Sequence, residues 1–147
     1  MCSGWALHRT AAQGTEAAAI DPYAAFCVTV PAAAVVDAAT RADIALGVRV
    51  PATPPLVPTL DDKAGAPVQV VKGQVLELRV QSPRPGAVAV HGLSELVRLQ
   101  PDQVGVVRFR AIYTGRFPLH FHGADGSHFE IAVLEIRNSV AGLPNAN

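Results

Sequence analysis

Histidines are concentrated near the C-terminal end of this 147-residue chain. Three of its five histidines, His120, His122 and His128, fall within nine residues, and His91 lies upstream at the end of an apolar run. Side chains in a strand alternate with period two, so His120 and His122 are predicted to share one face, opposite Phe121. The short glycine-containing segment before His128 can fold this third histidine back towards the pair. Clustered imidazoles suit copper, zinc, nickel or iron, and the spacing therefore predicts a metal site.

Carboxylates beside the histidines extend the set of candidate ligands. Glu130 or Asp125 could supply an oxygen ligand that, with the four clustered histidines, makes a tetragonal nitrogen/oxygen site for Cu(II). Copper(II) stands at the top of the affinity order of divalent metals, so copper is the metal that we expect here. The predicted metal ligands are His91, His120, His122, His128 and Glu130.

Each of these residues also has an interpretation without a metal. His91 could be a core or turn histidine whose ring is hydrogen-bonded to a backbone carbonyl. The His-Phe-His pair could be the polar outer face of an edge strand, and Pro118 supports an edge because proline cannot donate to a strand ladder. Glu130 could be a solvated surface carboxylate, and Asp125 could be part of a turn.

The composition is typical of one domain with a hydrophobic core, and it argues against certain classes of binding partner. Half of the residues are apolar, only 16% are charged, and the 12 Lys and Arg residues balance the 12 Asp and Glu residues. A neutral balance without a basic run argues against binding to nucleic acid or to an anionic membrane surface. No segment approaches the roughly 18 consecutive apolar residues of a membrane helix.

The N-terminal residues leave the cellular compartment open. Cys2 and Cys27 could pair in an exported protein, but the sequence alone does not decide this. Residues 24–36 have about the length of the apolar part of a signal peptide, yet Glu16 and Asp21 precede them instead of basic residues. An ordinary signal peptide is therefore not predicted.

The first part of the chain has weak and irregular signals. We interpret residues 1–60 as an Ala- and Pro-rich N-terminal extension that is partly irregular and able to contribute strands. Within it, strands are predicted at 26–30 and 44–50, and a short Ala-rich helix is predicted at 32–43. Prolines then make an extended connector over 51–58, because proline fixes φ and lacks a donor.

Regular strand signals follow, and they define the main domain at residues 61–138, before a tail at 139–147. The clearest alternation is at 74–81, where leucine and valine point inward and charged or amide side chains point outward. Short strands at such spacing are typical of an all-β sandwich or barrel. The predicted strands are 67–72, 74–81, 87–91, 96–99, 104–112, 116–122 and 129–137.

The order of these parts resembles a small, single-domain cupredoxin from about residue 67 to residue 137. The pattern comprises Val-x-x-Gly at 70–73, a strand ending in His91-Gly92, a Pro-x-Gln turn at 101–103, Thr-Gly-Arg-Phe at 114–117 and a terminal strand around 132–136. The resemblance implies a Greek-key β-sandwich or barrel of the cupredoxin type, with the N-terminal extension added to it. It also implies a periplasmic or otherwise exported location.

The resemblance also exposes one departure from the family. Cupredoxins with type 1 copper use an upstream histidine, a cysteine six residues after the turn glycine, a second histidine and often a methionine. His91 and His128 match the two histidines, Phe121 stands at the cysteine position, and Glu130 or Ile131 stands near the methionine position. Without the thiolate, the blue copper chromophore and fast electron transfer are not expected. The His-Phe-His triplet is also similar to the His-Cys-His of multicopper oxidases, but one such pair does not build their trinuclear cluster.

Three classes of function compete on this basis. We expect a copper-binding, cupredoxin-like protein in copper handling or tolerance, without enzymatic activity and with a copper-trafficking or redox protein as partner. The alternative is a structural or interaction module that has lost its metal, which the missing cysteine favours. A cupin-like metal-dependent enzyme ranks third, because cupins also use His-x-His but place a glutamate where residues 125–126 are Asp and Gly.

Overall fold

The computed structural model describes residues 22–26, 29–53 and 67–140. Two short 3₁₀ helices, Ala24–Phe26 and Ala32–Ala34, precede the strands. No helix in the described residues is long and apolar enough to cross a lipid bilayer. The strands are β1 (Ile44–Arg49), β2 (Val68–Val71), β3 (Val75–Gln81), β4 (Gly86–Val90), β5 (Val97–Leu99), β6 (Val104–Arg110), β7 (Gly115–Gly123) and β8 (His128–Arg137).

The strands form two sheets, and the chain crosses between them repeatedly. The three-stranded sheet has the order β1-β3-β6, and the five-stranded sheet has the order β2-β8-β7-β4-β5. β1 runs parallel to β3 and β2 runs parallel to β8, whereas the other neighbours are antiparallel. The predicted all-β class is therefore confirmed. β1 comes from the segment interpreted as an N-terminal extension, and it pairs along its whole length with β3.

The apolar core lies between the two sheets, and strand alternation supplies it. In β3 the residues predicted to point inward, Leu76, Leu78 and Val80, are at most 1% exposed. Phe109 of β6 and Phe121 of β7 are fully buried in the same cluster. Large-to-small changes at such positions typically cost about 2–5 kcal/mol of stability, so this core holds the sheets in register.

The predicted strand at 26–30 is wrong in its described part. Phe26 ends a 3₁₀ turn, in which its N–H donates to the carbonyl of Tyr23 at 3.0 Å, and Thr29 and Val30 are not in a strand. The β-branched composition of this stretch favours a strand, but the adjacent Pro31 carries no N–H for a ladder. Residues 27 and 28, including Cys27, lie outside the described residues, as does Cys2.

The predicted helix at 32–43 is also wrong beyond its first turn. Only Ala32–Ala34 is helical, and a turn follows it. In that turn the carboxylate of Asp37 accepts hydrogen bonds from the N–H groups of Ala39 and Thr40, at 2.8 and 3.0 Å. Aspartate stabilises turns in this way because its short side chain competes with the helix for backbone donors.

The edge-strand interpretation of the His-Phe-His segment is wrong, because β7 lies inside the five-stranded sheet between β8 and β4. Pro118 is tolerated there for a geometric reason. β4 pairs with Leu119 through Gly123 only, so Pro118 lies beyond the end of that ladder and pairs with Val133 of β8 alone. The missing N–H of Pro118 therefore faces no strand on its β4 side.

Candidate metal centre

Three neighbouring strands bring four histidines to one end of the five-stranded sheet. β4 ends at Val90, and His91 lies in the turn directly after it. His120 and His122 lie on β7, and His128 is the first residue of β8. In the antiparallel register His122 is opposite His128. The cluster is therefore assembled by pairings between separate strands, as well as by the spacing of histidines along one strand.

The imidazoles of His91, His120 and His122 form a compact triad. One candidate ligand atom from each ring lies within 4.8 Å of the other two. The ring centroids of His91 and His120 are 4.8 Å apart, and those of His91 and His122 are 5.8 Å apart. Imidazole nitrogens bind zinc-like ions at about 2.0–2.1 Å, so two ligands of one ion are at most about 4 Å apart. The spacing of the candidate ligand atoms is therefore close to the one that a single ion requires.

His128 lies against this triad at its exposed side. Its ring stacks on the ring of His122, with centroids 4.6 Å apart and an interplanar angle of 8°. It meets the ring of His120 edge-on at 4.9 Å. His128 is exposed, unlike the buried His122 on which its ring stacks.

Several buried ring nitrogens of the triad have no hydrogen-bond partner among the described residues. They are both nitrogens of His122, Nε2 of His91 and Nδ1 of His120. His122 is only 2% exposed. Buried polar groups in proteins are usually hydrogen-bonded, because an unpartnered one keeps its desolvation cost. Each neutral imidazole offers one lone pair, so these three adjacent rings could supply three nitrogen ligands to one metal ion.

The electrostatic environment keeps two of these rings neutral. Burial, and then the neighbouring imidazoles of His128, His91 and His120, lower the pKa of His122 to about 4. Burial, followed by the nearby His120 and His128, also lowers the pKa of His91. A neutral imidazole is the form that binds a metal, so the cluster is ready for a cation at neutral pH without first losing protons from these two rings.

Glu130, the predicted oxygen ligand, lies beside a single imidazole. Its carboxylate oxygen Oε1 is 3.5 Å from Nε2 of His120, and its side chain is 59% exposed. The strand register explains this contact, because an irregularity between Leu119 and His120 shifts the pairing of β7 with β8 and brings Glu130 opposite His120. A carboxylate at one nitrogen of an imidazole leaves the other nitrogen for a metal, as carboxylate–histidine pairs do in many metal sites. Nδ1 of His120 is that other nitrogen, and it has no partner.

The structure places the other two residues of interest away from the triad. Asp125 lies in the turn between β7 and β8, where its carboxylate accepts hydrogen bonds from the N–H and hydroxyl of Ser127. These two hydrogen bonds, with the nearby Arg84, lower the pKa of Asp125. Phe121, at the position of the cupredoxin cysteine, is fully buried in the core. Among the described residues, the triad therefore contains imidazole donors and no thiolate.

Two residues near the cluster were not anticipated from the sequence. The ring of Phe26 stacks on His122, with centroids 3.9 Å apart and an interplanar angle of 18°. The guanidinium of Arg84 contacts the turn that precedes His128. Neither contact has a local signal, because each joins segments that are distant along the chain. His8, the fifth histidine, lies outside the described residues.

Comparisons with known proteins find remote similarities in structure only. No protein-family model matches the sequence, and no curated protein matches it. The structure is similar to a blue copper oxidase from Nitrosomonas europaea, at 18% identity and a TM-score of 0.41, over 49% of this chain and 31% of that chain. A second multicopper oxidase gives 16% identity and a TM-score of 0.40, over 48% of this chain and 32% of that chain. The chain thus spans about a third of the length of these two oxidases.

A copper(I) form of an amicyanin mutant is similar over 74% of this chain and 97% of its own, at 16% identity and a TM-score of 0.38. Cupredoxins are thus among the solved structures that this chain resembles. Similarity this remote does not transfer a function, and only the geometry of the histidine cluster indicates one.

Proposed function

We propose that this domain binds one copper ion through the triad of His91, His120 and His122, and that it holds or delivers copper. The observation that carries the proposal is the set of four buried imidazole nitrogens without partners, in three rings whose candidate ligand atoms lie within 4.8 Å of one another. Copper is preferred because imidazole ligands suit it and because Cu(II) exceeds the other first-row divalent ions in affinity for a given site.

The character of the ligands supports storage or delivery over electron transfer. The intense colour and fast electron transfer of blue copper sites depend on the copper–thiolate bond, and Phe121 occupies the thiolate position. Three imidazole ligands would leave one coordination position for His128, for water or for a donor from another molecule. His128 is exposed, so the ion would be reachable from outside.

The remaining parts of this proposal concern the cell. As a copper-handling protein it would be exported or periplasmic, and its partner would be a copper-trafficking or redox protein. It would bind copper without catalysing a reaction. The resemblance to cupredoxins supports the location, and the accessible fourth position supports transfer of the ion to a partner.

The second candidate is a metal-free structural module. The buried phenylalanine at the cysteine position favours it, since the fold packs well without a thiolate there. It leaves four buried imidazole nitrogens without partners, and it offers no compensation for their desolvation. The copper proposal gives a ligand role to one buried nitrogen in each of the three rings, which is why we prefer it.

A Cu(II) titration followed by electron paramagnetic resonance and visible absorption tests the proposal. We expect one tight equivalent with a tetragonal signal in the wild type, and loss of that signal in the His120→Ala/His122→Ala variant. His8→Ala is the control for removal of an imidazole as such, and it should bind copper like the wild type. Competition with Zn²⁺ in the same titration then measures the preference for copper.

Two outcomes of this titration would overturn the proposal. Absence of Cu(II) binding at micromolar metal would leave the metal-free module as the better description. An intense visible charge-transfer band would show that a cysteine thiolate reaches the ion, and the site would then be an electron-transfer site instead.

A further inference from the structure

The turn between His122 and His128 is closed by its own hydrogen bonds. The N–H of Gly123 donates to the carbonyl of Ser127 at 2.7 Å, and the N–H of Gly126 donates to the carbonyl of Gly123 at 3.0 Å. The side chains of Asp125 and Ser127 would lie within 2.4 Å of a Cβ at Gly123, so a larger residue there would displace the side chains that close the turn. This closed turn fixes the position at which β8 begins, and therefore the backbone position of His128, the first residue of β8.

Arg84 holds this turn from a distant part of the chain. Its Nη1 donates to the carboxylate of Asp125 at 3.1 Å, and its Nη2 donates to the hydroxyl of Ser127 at 3.1 Å. Its guanidinium carbon also lies 5.2 Å from the ring centroid of Phe121 and 5.5 Å from that of Phe129. Phe121 lies between the two histidines of β7, and Phe129 follows His128. Arg84 therefore contacts the turn and the neighbours of three site histidines at the same time.

The segment around Arg84 is itself docked onto β7. The hydroxyl of Ser82 donates to the carbonyl of Arg84 at 2.6 Å and accepts from its N–H at 3.2 Å. The N–H of Ala124 donates to the carbonyl of Pro85 at 3.1 Å. A Cβ at Gly86 would come within 2.6 Å of the carbonyl oxygen of His122. The base of the arginine is thus fixed against the strand that carries His122, and its tip is fixed to the turn before His128.

We propose that Arg84 is a positioning residue, which holds the ring of His128 against His122 and so keeps a fourth imidazole at the triad. This inference rests on the copper site proposed above. A planar guanidinium suits the task, since its rigid fork reaches two acceptors while its face lies on aromatic rings. A lysine would supply the charge without the fork or the flat surface. Arg84 touches none of the site histidines, so it acts only through the turn and the two phenylalanine rings.

The test uses Arg84→Met and Arg84→Lys, with Arg79→Met as matched control. Arg79 also pairs with a carboxylate, that of Glu77, but on the other sheet. In metal-free protein, nuclear Overhauser contacts between the rings of His122 and His128 report their stacking without copper. We expect these contacts to weaken in both Arg84 variants, with the methionine variant most affected, and to stay unchanged in Arg79→Met.

Copper affinity gives the second readout. Partners that orient metal ligands typically change affinity about 10-fold or more, and we expect Arg84→Met to weaken Cu(II) binding by about 10-fold. In a His128→Ala background the same substitution should cause no further loss, because the ring that it positions is already gone. A merely structural role would lower affinity equally in both backgrounds.

The outcomes separate this inference from the copper proposal. Unchanged ring contacts in both Arg84 variants, or an equal affinity loss with and without His128, would overturn the role of Arg84. A wild type that binds no copper would overturn the copper proposal, while the ring contacts would still decide whether Arg84 positions His128. If Arg84→Met does not fold, Arg84→Lys decides both readouts.

Discussion

The two sheets of this protein differ in whether their buried polar side chains have hydrogen-bonding partners. On the three-stranded sheet, Glu77 of β3 is paired with Arg108 at 2.7 Å and with Arg79 at 2.9 Å. Arg108 also donates to the backbone carbonyl of Thr40. Among the described residues of that sheet, the one buried side-chain nitrogen without a partner is Nε of Arg108. At the end of the five-stranded sheet, four buried nitrogens of three histidines lack partners.

This difference separates polar groups that maintain the fold from polar groups that bind something. The Glu77–Arg108 ion pair joins β3 to β6, and the hydrogen bond from Arg108 to Thr40 ties the segment before β1 to them. These groups therefore help to hold the smaller sheet together. The triad histidines contribute little of that kind, because four of their buried ring nitrogens have no hydrogen-bond partner among the described residues. Lone pairs that are buried without partners cost stability, and a fold keeps them most readily where a ligand compensates for them.

Of the substitutions considered, that of Arg108 should separate stability from copper binding most clearly. Arg108→Met removes the pair with half-buried Glu77 and the bond to Thr40, and we expect it to lower the free energy of unfolding by about 1–3 kcal/mol. Copper affinity should not change, since Arg108 lies on the other sheet. Urea unfolding and a copper titration on the same variant measure the two effects.

Arg137→Met is the matched control for that substitution. Arg137 pairs with Glu135 at a position where its own side chain is 67% exposed, so its loss should change stability by less than about 0.5 kcal/mol. A large effect of Arg108→Met on copper affinity would contradict the separation of the two regions.

Acid should destabilise the metal-free protein through His122. Its pKa falls to about 4 in the folded state, below the ordinary histidine value of 6.5, so the unfolded chain binds more protons between these two values. Stability is therefore fully present above pH 6.5 and declines as the pH falls towards 4, with a slope of at most about 1.4 kcal/mol per pH unit from this group. Urea midpoints measured across this range give the slope.

The His122→Gln variant tests the origin of that slope. Glutamine does not titrate, so the dependence of stability on pH between 6.5 and 4 should flatten. An unchanged slope would assign the acid sensitivity to other groups. Saturation with Cu(II) should steepen the loss at low pH in the wild type, because protons then compete with the metal for the same nitrogens.

Removal of the Glu130 carboxylate should have a smaller effect on the site. Glu130→Gln keeps the shape of the side chain but removes the charge beside Nε2 of His120, and we expect Cu(II) affinity to fall by up to about 10-fold. Glu135→Gln is a suitable control, because Glu135 is also on β8 but pairs with Arg137 and Gln69. A loss of more than 100-fold, together with an altered paramagnetic resonance spectrum, would instead identify Glu130 as a direct ligand.

Truncation of Phe26 should give the smallest effect. Phe26→Ala removes a stacked ring from His122, and aromatic pairs contribute about 0.5–1.5 kcal/mol beyond their buried area. Val35→Ala, at a position 55% exposed, is the control for loss of an exposed apolar side chain. Equal unfolding free energies for both variants would show that the stack contributes nothing. Faster uptake of Cu(II) by Phe26→Ala in stopped-flow measurements would show that the ring also limits access.

Much of the strand pattern was predictable because it depends on neighbours along the chain. Alternation placed Leu76, Leu78 and Val80 in the core, and the structure buries all three. The failures at 26–30 and 32–43 came from short-range competition, by Pro31 and by the side chain of Asp37, within stretches whose composition favoured a strand and a helix. The interior position of β7 was missed because Pro118 indicates an edge unless the length of the neighbouring ladder is known.

By itself, the sequence determined the all-β class and the clustering of His120, His122 and His128, since both follow from periodicity over a few residues. Only the tertiary structure decided that His91 joins them, that Glu130 lies beside His120 alone, and that Phe26 and Arg84 border the cluster. The physical reason is that hydrogen-bond satisfaction depends on every segment that packs around an atom. Whether an imidazole nitrogen is buried without a partner therefore emerges only when strands distant in the chain come together.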